Sequence, residues 1–97
     1  MKIKILERTD REMEFELEGE GHTLCNLLRK VLLEDEDVTF AGYRIEHPLI
    51  GKPKVYVRTN GEKDPLEAVI EAAKKIKKMA EEFREAFLNS LKGSHYE

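Results

Sequence analysis

The stretch that decides the fold is residues 12–33, EMEFELEGEGHTLCNLLRKVLL, in which the spacing of apolar residues changes. In residues 12–18, three apolar residues alternate with four glutamates, which predicts a half-buried strand. Residues 19–21 read GEG and interrupt the alternation. In residues 22–33 the apolar residues recur every three or four positions, which predicts a helix. The stretch therefore predicts a strand followed closely by a helix.

The predicted first helix carries a wide apolar face. At about 100° per residue its apolar side chains cover an arc of roughly 160°. These side chains are Leu24, Cys25, Leu27, Leu28, Val31 and Leu32. The arc exceeds what a helix lying on one sheet needs, so we expect a second apolar contact besides the one with the sheet. Thr23 is predicted to cap the helix, because its hydroxyl can accept from a free amide of the first turn.

Three more strands are predicted around this unit. Residues 2–7 alternate lysine with isoleucine, and Thr9-Asp10 predicts a tight turn into residues 12–18. Residues 38–46 form the third strand, in which Gly42 indicates a bulge or a close backbone approach. Residues 47–53 contain two prolines and a glycine and predict a loop, and residues 55–59 form the fourth strand before the Asn60-Gly61 turn.

A second helix, predicted over residues 64–93, is longer than such a sheet requires. Asp64-Pro65 is a strong helix start, and Gly93 can end the helix. About 27 helical residues span roughly 40 Å, whereas four strands make a sheet less than about 20 Å wide. The apolar stripe still continues to the far end, where its members are Ala80, Phe83, Phe87 and Leu91. An exposed apolar patch of this kind marks an interface, so we expect a partner there.

The fold class predicted from these elements is α+β. The order strand-strand-helix-strand-strand-helix favours a mostly antiparallel four-stranded sheet with two helices on one face and a long C-terminal helix. A length of 97 residues is typical of one domain, so residues 1–97 are predicted to form a single domain.

The composition excludes several classes of protein. Hydrophobic residues make up 40%, which excludes a disordered tail, and a net charge of −3 argues against a dedicated nucleic-acid binder. Lys74, Lys75, Lys77 and Lys78 are interleaved with glutamates, which is more typical of a solvated, ion-paired face. No aromatic pair on a single predicted strand resembles the stacking platform of single-strand RNA binders. The near-balanced excess of lysine and glutamate is one mark of proteins from hot environments.

No metal, cofactor or membrane segment is predicted. Cys25 is the only cysteine, so an internal disulfide or a cysteine-only zinc site is excluded. His22 lies three residues from Cys25, and His47 could join them, but the spacing favours a small core thiol beside an unrelated histidine. The apolar runs are far shorter than the roughly 20 residues that span a bilayer, and no signal peptide is evident. We expect a soluble, cytoplasmic chain.

Two motifs resemble a known family. Residues 19–33 are similar to the dimerisation helix of the alpha-type RNA polymerase assembly subunits, and residues 38–43 with His47-Pro48 resemble its small archaeal and eukaryotic branch. The motif residues are His22, Thr23, Asn26, Arg29, His47 and Pro48. The resemblance implies the fold predicted above, pairing of both helices with a larger alpha-like RNA polymerase subunit, called D in archaea, and no catalytic, metal-binding or primary DNA-binding role.

The residues and the resemblance together predict a partner surface. Its members are Leu24, Leu27, Leu28, Val31 and Leu32 on the first helix and Ala80, Phe83, Phe87 and Leu91 on the second. An isolated chain would expose this surface, so homodimers are expected without the partner. Two hypotheses stay open: a non-catalytic polymerase assembly subunit, or a small enzyme or free-standing RNA-binding module on the same scaffold. The enzyme would need a polar cluster in a pocket, and the RNA binder an exposed aromatic and basic strand face.

Overall fold

The computed structural model describes residues 2–46 and 52–93. Its elements are β1 (Lys2–Arg8), β2 (Glu12–Glu18), α1 (His22–Leu33), β3 (Val38–Arg44), β4 (Lys54–Thr59) and α2 (Pro65–Gly93). The predicted fold class and element order are confirmed. Most of the predicted loop at residues 47–53 lies outside the described residues, as does the rest of the chain after residue 93.

The four strands form one antiparallel sheet in the order β1-β2-β4-β3. The β1–β2 hairpin turns at the predicted place, where the Thr9 amide donates to the Glu12 carbonyl at 2.8 Å and the Thr9 hydroxyl accepts from the Glu12 amide at 3.0 Å. A threonine side chain thus holds a turn that glycine often makes. The fourth strand then returns to the middle of the sheet, between β2 and β3.

Alternation divides the sheet into a face covered by helices and an open face. Met13, Phe15 and Leu17 of β2 are each 2% exposed, and they share the covered face with Val55 and Val57 of β4. The glutamates of β2 point to the opposite, open face. The core therefore lies between one side of the sheet and the two helices.

Most of the wide apolar face of α1 is buried by other parts of the same chain. Cys25, Leu28, Val31 and Leu32 are buried, and α1 packs both on β3 and on α2. The wide apolar face of α1 predicted a second apolar contact besides the sheet. For these four residues, that contact is α2 of the same chain.

The predicted cap of α1 is wrong. The helix begins at His22 with Gly21 as the N-cap, and no side chain caps it. The Cys25 amide donates to the Gly21 carbonyl at 3.3 Å, which closes the first turn and places Thr23 inside it. Thr23 therefore has helical backbone and cannot occupy the extended position that a cap requires.

Gly42 provides a close approach, although the bulge lies elsewhere. The irregularity of β3 falls between Val38 and Phe40. A Cβ on Gly42 would lie 3.2 Å from two atoms of the Phe40 ring. The absence of a side chain at Gly42 thus lets that ring lie against the backbone of the open face.

The start of α2 matches its sequence signal. Asp64 accepts through Oδ1 from the Leu66 amide at 2.9 Å, and its carbonyl accepts from the Ala68 amide at 3.0 Å. The helix contains 29 residues and is about 43 Å long. A compact chain of this size has a radius of gyration of about 12.5 Å, whereas the observed value is 16.3 Å. The long helix makes the molecule elongated.

Candidate partner-binding surface

The second half of α2 carries a row of exposed apolar side chains, which we call the distal stripe. Its members are Met79, Ala80, Phe83, Phe87, Leu88 and Leu91. Phe83 is 73% exposed and Phe87 is 56% exposed. Exposing such rings to water is unfavourable. Each aromatic side chain could instead bury about 150–250 Å² of surface in a contact with another chain. The stripe is therefore a candidate contact with another chain.

The distal stripe continues a helix face that is used differently nearer its start. Ala68 and Ala72 are buried against the core, and Val69 and Ile76 pack partly on it. From Lys77 to Lys92 every side chain is exposed, because the helix has run past the sheet by that point. One periodic apolar face thus serves the core in its first half and the surface in its second.

An apolar groove lies beside the first half of α2. Ile3 of β1 pairs with Leu17 and so points to the covered face, yet it is 62% exposed, and Ile5 is 46% exposed. The helices therefore leave the β1 side of that face largely open. The resulting groove has a volume of about 170 Å³ and is lined by Ile3, Phe15, Leu17, Leu24, Leu28, Val69, Ala73 and Ile76. Its lining is wholly apolar, which suits a partner's side chains.

The structure divides the residues that the sequence assigned to the partner surface. Leu28, Val31 and Leu32 are 6%, 2% and 1% exposed, since they fill the space between the sheet and α2. All three belong to the core, and of the three only Leu28 also lines the groove. Leu24 and Leu27 are half-buried and keep accessible area. The sequence analysis did not assign Ile3 or Leu88 to the partner surface. Leu88 could have been assigned, because its helical spacing places it beside the apolar stripe of α2.

The motif residues of α1 lie at its exposed start and outer side. Thr23, Asn26 and Arg29 are exposed. His22 makes a 2.8 Å hydrogen bond through Nδ1 with the Tyr43 hydroxyl, and the two rings meet edge-on with centroids 5.6 Å apart. This contact ties the start of α1 to β3. His47 and Pro48 lie outside the described residues.

Cys25 is a core residue. It is 1% exposed, and burial raises the pKa of its thiol, with Glu20 adding to that rise. Within residues 2–46 and 52–93, no three histidine, cysteine or acidic side chains cluster in a way that could hold a metal ion.

The open face of the sheet holds an aromatic pair, whose rings are inclined by 56° and come from two strands, not from one. Phe40 of β3 and Tyr56 of β4 have ring centroids 5.8 Å apart, and the Arg58 guanidinium lies 5.9 Å from the Tyr56 ring centre. The pair forms across strands, where the register of β3 and β4 brings it together. Periodicity along a single strand could not reveal it.

Carboxylates surround this aromatic pair. Arg58 lies 3.0 Å from Glu12, Arg44 lies 2.9 Å from Glu46, and Lys54 lies 3.5 Å from Glu46. The Tyr56 hydroxyl donates to Glu12 at 2.6 Å, and this bond is the main reason that the pKa of Glu12 is lowered. Because these cations are paired, the face offers little attraction to phosphates.

Most of the chain matches a family of known proteins. The family described as RNA polymerase Rpb3/Rpb11 dimerisation domain matches residues 12–86, from β2 into the distal half of α2. The chain belongs to the Rpb3/Rpb11 dimerisation-domain family. None of the helices within residues 2–46 and 52–93 is both long and apolar enough to cross a bilayer.

Members of the Rpb3/Rpb11 family with high similarity include two archaeal proteins named DNA-directed RNA polymerase subunit Rpo11. The protein of Methanocella arvoryzae is 46% identical over 87 residues, covering 90% of this chain and 94% of the relative. That of Thermococcus onnurineus is 48% identical over 93 residues, covering 94% and 98%. The crystal structure of DNA-directed RNA polymerase subunit L from Thermoplasma acidophilum superimposes with a TM-score of 0.77 at 26% identity, covering 97% of this chain and 96% of that one.

Proposed function

We propose that the chain is subunit L, also called Rpo11, of a cytoplasmic archaeal DNA-directed RNA polymerase. In this proposal all of residues 1–97 form one dimerisation domain without catalytic residues or cofactors. It pairs with the larger alpha-like subunit, called D in archaea, and the heterodimer is the platform on which the catalytic subunits assemble. We call that larger subunit the alpha-like partner. The observation that carries the proposal is the exposed distal stripe on a chain whose family is defined by dimerisation.

The stripe and the groove give the proposed interface its two halves. The family description joins two proteins, Rpb3 and Rpb11, through one kind of domain. Chains that share a domain pair most simply about an approximate two-fold axis, so each contributes the same two surfaces. The distal stripe would then lie on the partner, while the partner's corresponding helix would cover Ile3, Leu24 and Ile76 of the groove.

The alternative functions lack a corresponding feature. An enzyme needs titratable groups that are free to act in a pocket, whereas Asp35, Lys63 and Glu71, which line the groove between α1 and α2, are ion-paired with one another. An RNA-binding sheet needs cations free to meet phosphates, whereas Arg44, Lys54 and Arg58 are paired with glutamates. Neither hypothesis is favoured over the assembly subunit.

Co-purification from native extract tests the proposal. Tagged chain is expected to recover the alpha-like partner and, through it, the large polymerase subunits. A Phe83→Asp/Phe87→Asp variant places two charges in the stripe and is expected to lose them all. The matched control, Glu85→Ala, changes the polar side of the same helix and is expected to retain them. Recovery of no polymerase subunit by the unaltered chain would refute the proposal.

A further inference from the structure

Lys63, in the loop before α2, binds carboxylates from separate parts of the chain. Its Nζ lies 2.7 Å from Asp35 Oδ2 and 3.9 Å from Asp37 Oδ2, both in the segment between α1 and β3. The same nitrogen lies 2.5 Å from Glu71 Oε2 on α2. The side chains of Lys63 and Asp35 are 19% and 18% exposed, whereas that of Glu71 is 47% exposed, so the cluster is shielded from water mainly on its Asp35 side. We call Lys63, Asp35 and Glu71 the lysine clasp.

A second ion pair holds the start of α2 from another direction. Arg8, at the end of β1, lies 2.8 Å from the Asp64 carboxylate that caps α2. The clasp joins α2 to the segment after α1, and the Arg8 pair joins it to the edge of the sheet. The two sets of ion pairs therefore contact the start of the helix at two separated points, Asp64 and Glu71.

Apolar packing alone holds this part of α2 loosely. After the buried Pro65, the buried residues of α2 are Ala68 and Ala72, whose side chains are short, and the larger Leu66, Val69 and Ile76 pack only partly on the core. A partly open groove of about 240 Å³ lies between α1 and α2, with Val31, Leu32, Ala68 and Ala72 on its apolar side and Asp35, Lys63, Glu71 and Lys75 on its charged side. The ion pairs of Lys63 lie across this groove, so they can add to the side-chain packing that sets the direction of the helix.

The length of α2 magnifies any error in its direction. Phe87 is about 24 Å along the helix from Glu71. A tilt of about 10° at Glu71 would therefore move Phe87 by about 4 Å, roughly the width of a side chain. A displacement of that size is enough to misplace an aromatic anchor in a packed interface.

We propose that Lys63 is a positioning residue for partner binding, holding α2 at the angle that presents the distal stripe to the alpha-like partner. Lys63 itself lies away from the stripe and acts through the direction of the helix. This inference rests on the function proposed above.

The test replaces Lys63 with methionine in the full chain, which keeps the length of the side chain and removes its charge. Affinity for the purified alpha-like partner is measured at a temperature where circular dichroism shows the variant folded. We expect affinity to fall about 5- to 20-fold. Glu71→Gln, which weakens only the tie to α2, is expected to have a smaller effect in the same direction. Lys63→Arg can donate to the same carboxylates and is expected to restore most of the affinity.

A distance measurement separates positioning from general stability. Spin labels at Asp10→Cys and Asn89→Cys report the angle of α2 by pulsed electron resonance, with labelled chain diluted in unlabelled chain so that only distances within one chain contribute. Cys25 is buried and stays unlabelled. We expect Lys63→Met to broaden the distance distribution. Lys78→Met is the control, because Lys78 is 77% exposed and lies as far as 3.9 Å from Glu82, and it is expected to change neither readout.

Phe87→Ala, measured beside these variants, distinguishes failure of this inference from failure of the proposed function. If Phe87→Ala loses affinity while Lys63→Met and Glu71→Gln keep it, the positioning role is refuted and the function stands. Loss of affinity in Lys63→Met with an unaltered distance distribution also refutes the positioning role. If Phe87→Ala itself keeps full affinity, the proposed interface is wrong.

Discussion

The rings of Phe83 and Phe87 stack on each other one helical turn apart, with centroids 6.2 Å apart and planes inclined by 22°. Spacing of four residues brings side chains together on a helix surface. The contact limits the motion of both rings before any partner is present. Less side-chain entropy is then lost on binding, so the pair is suited to act as an interface anchor.

Phe87→Ala is expected to weaken binding to the alpha-like partner more than tenfold while changing the melting temperature of the isolated monomer little. Truncation of a buried interface aromatic costs about 2–4 kcal/mol of binding free energy. In the isolated chain Phe87 is 56% exposed, so its removal leaves the core intact. Calorimetric titration and thermal melting, done side by side on a monomeric form, give the two quantities.

Phe15→Ala is the matched control for that experiment. Phe15 is 2% exposed at the centre of the core, and its truncation is expected to cost about 3–5 kcal/mol of folding stability. The two phenylalanines should thus give opposite patterns. A large loss of stability in Phe87→Ala with unchanged affinity would contradict the interface.

Asp64→Ala is expected to lower the melting temperature by about 5 °C, because it removes the oxygen that caps α2 and the partner of Arg8. Asp64→Asn keeps a capping oxygen and loses only the charge, so it is expected to lower the melting temperature by less than half as much. Thermal melting by circular dichroism measures both. Equal shifts for the two variants would show that the charge, and not the cap, is what matters.

Acid is expected to destabilise the chain below about pH 5. The pKa of Glu46 is lowered mainly by its hydrogen bond from Arg44, and that of Asp64 by the Leu66 amide and then by Arg8. At Asp35, burial raises the pKa, but the hydrogen bond from Lys63 and other contacts outweigh it and the net direction is down.

A carboxyl with a lowered pKa in the folded state contributes stability that is fully present above its unfolded pKa and is lost as pH falls through the folded one. The melting temperature should therefore stay level from about pH 7 to about pH 5 and then fall. Scans across this range check the expectation. A melting temperature that rises on acidification to about pH 3 would contradict it.

The thiol of Cys25 is expected to react with a thiol-specific reagent only when the chain unfolds. It is buried, and its pKa is raised, so both access and the reactive thiolate are reduced. Labelling rates with and without denaturant give the comparison, and a fast rate in the folded chain would contradict burial. Exposed cysteines introduced at Asp10 or Asn89 provide the positive control.

Affinity of the isolated chain for single-stranded RNA is expected to be negligible at physiological salt. The net charge is −3, and the cations beside Phe40 and Tyr56 are paired with glutamates. Fluorescence anisotropy with a labelled homopolymer measures it. Glu12→Gln removes the negative charge that is paired with Arg58. Any weak binding to RNA is expected to increase in this variant. Sub-micromolar binding by the unaltered chain would overturn this prediction.

The elements of the fold were predictable because their signals are local. The alternation around Phe15 identifies β2, and Asp64 followed by proline marks the start of α2. The stripe beyond Ala80 was also visible, since helix length and apolar spacing suffice to show that it runs past the sheet.

What depends on contacts between distant segments was not predictable. The split of the α1 face, with Val31 in the core and Leu24 at a groove, is decided by where α2 crosses it. The pairing of Phe40 with Tyr56 follows from strand register, and the ion pairs of Lys63 follow from loop packing. None of these leaves a periodic signal in the sequence.

The distal stripe follows the core residues in the sequence, so it is synthesised after them. The buried core ends at Ala72, whereas the stripe begins at Met79. A ribosome therefore makes every buried core residue that the structure describes before it makes Phe83 and Phe87. Because chains begin to fold as they are synthesised, these core residues can start to pack before the stripe, the surface most prone to aggregation, emerges.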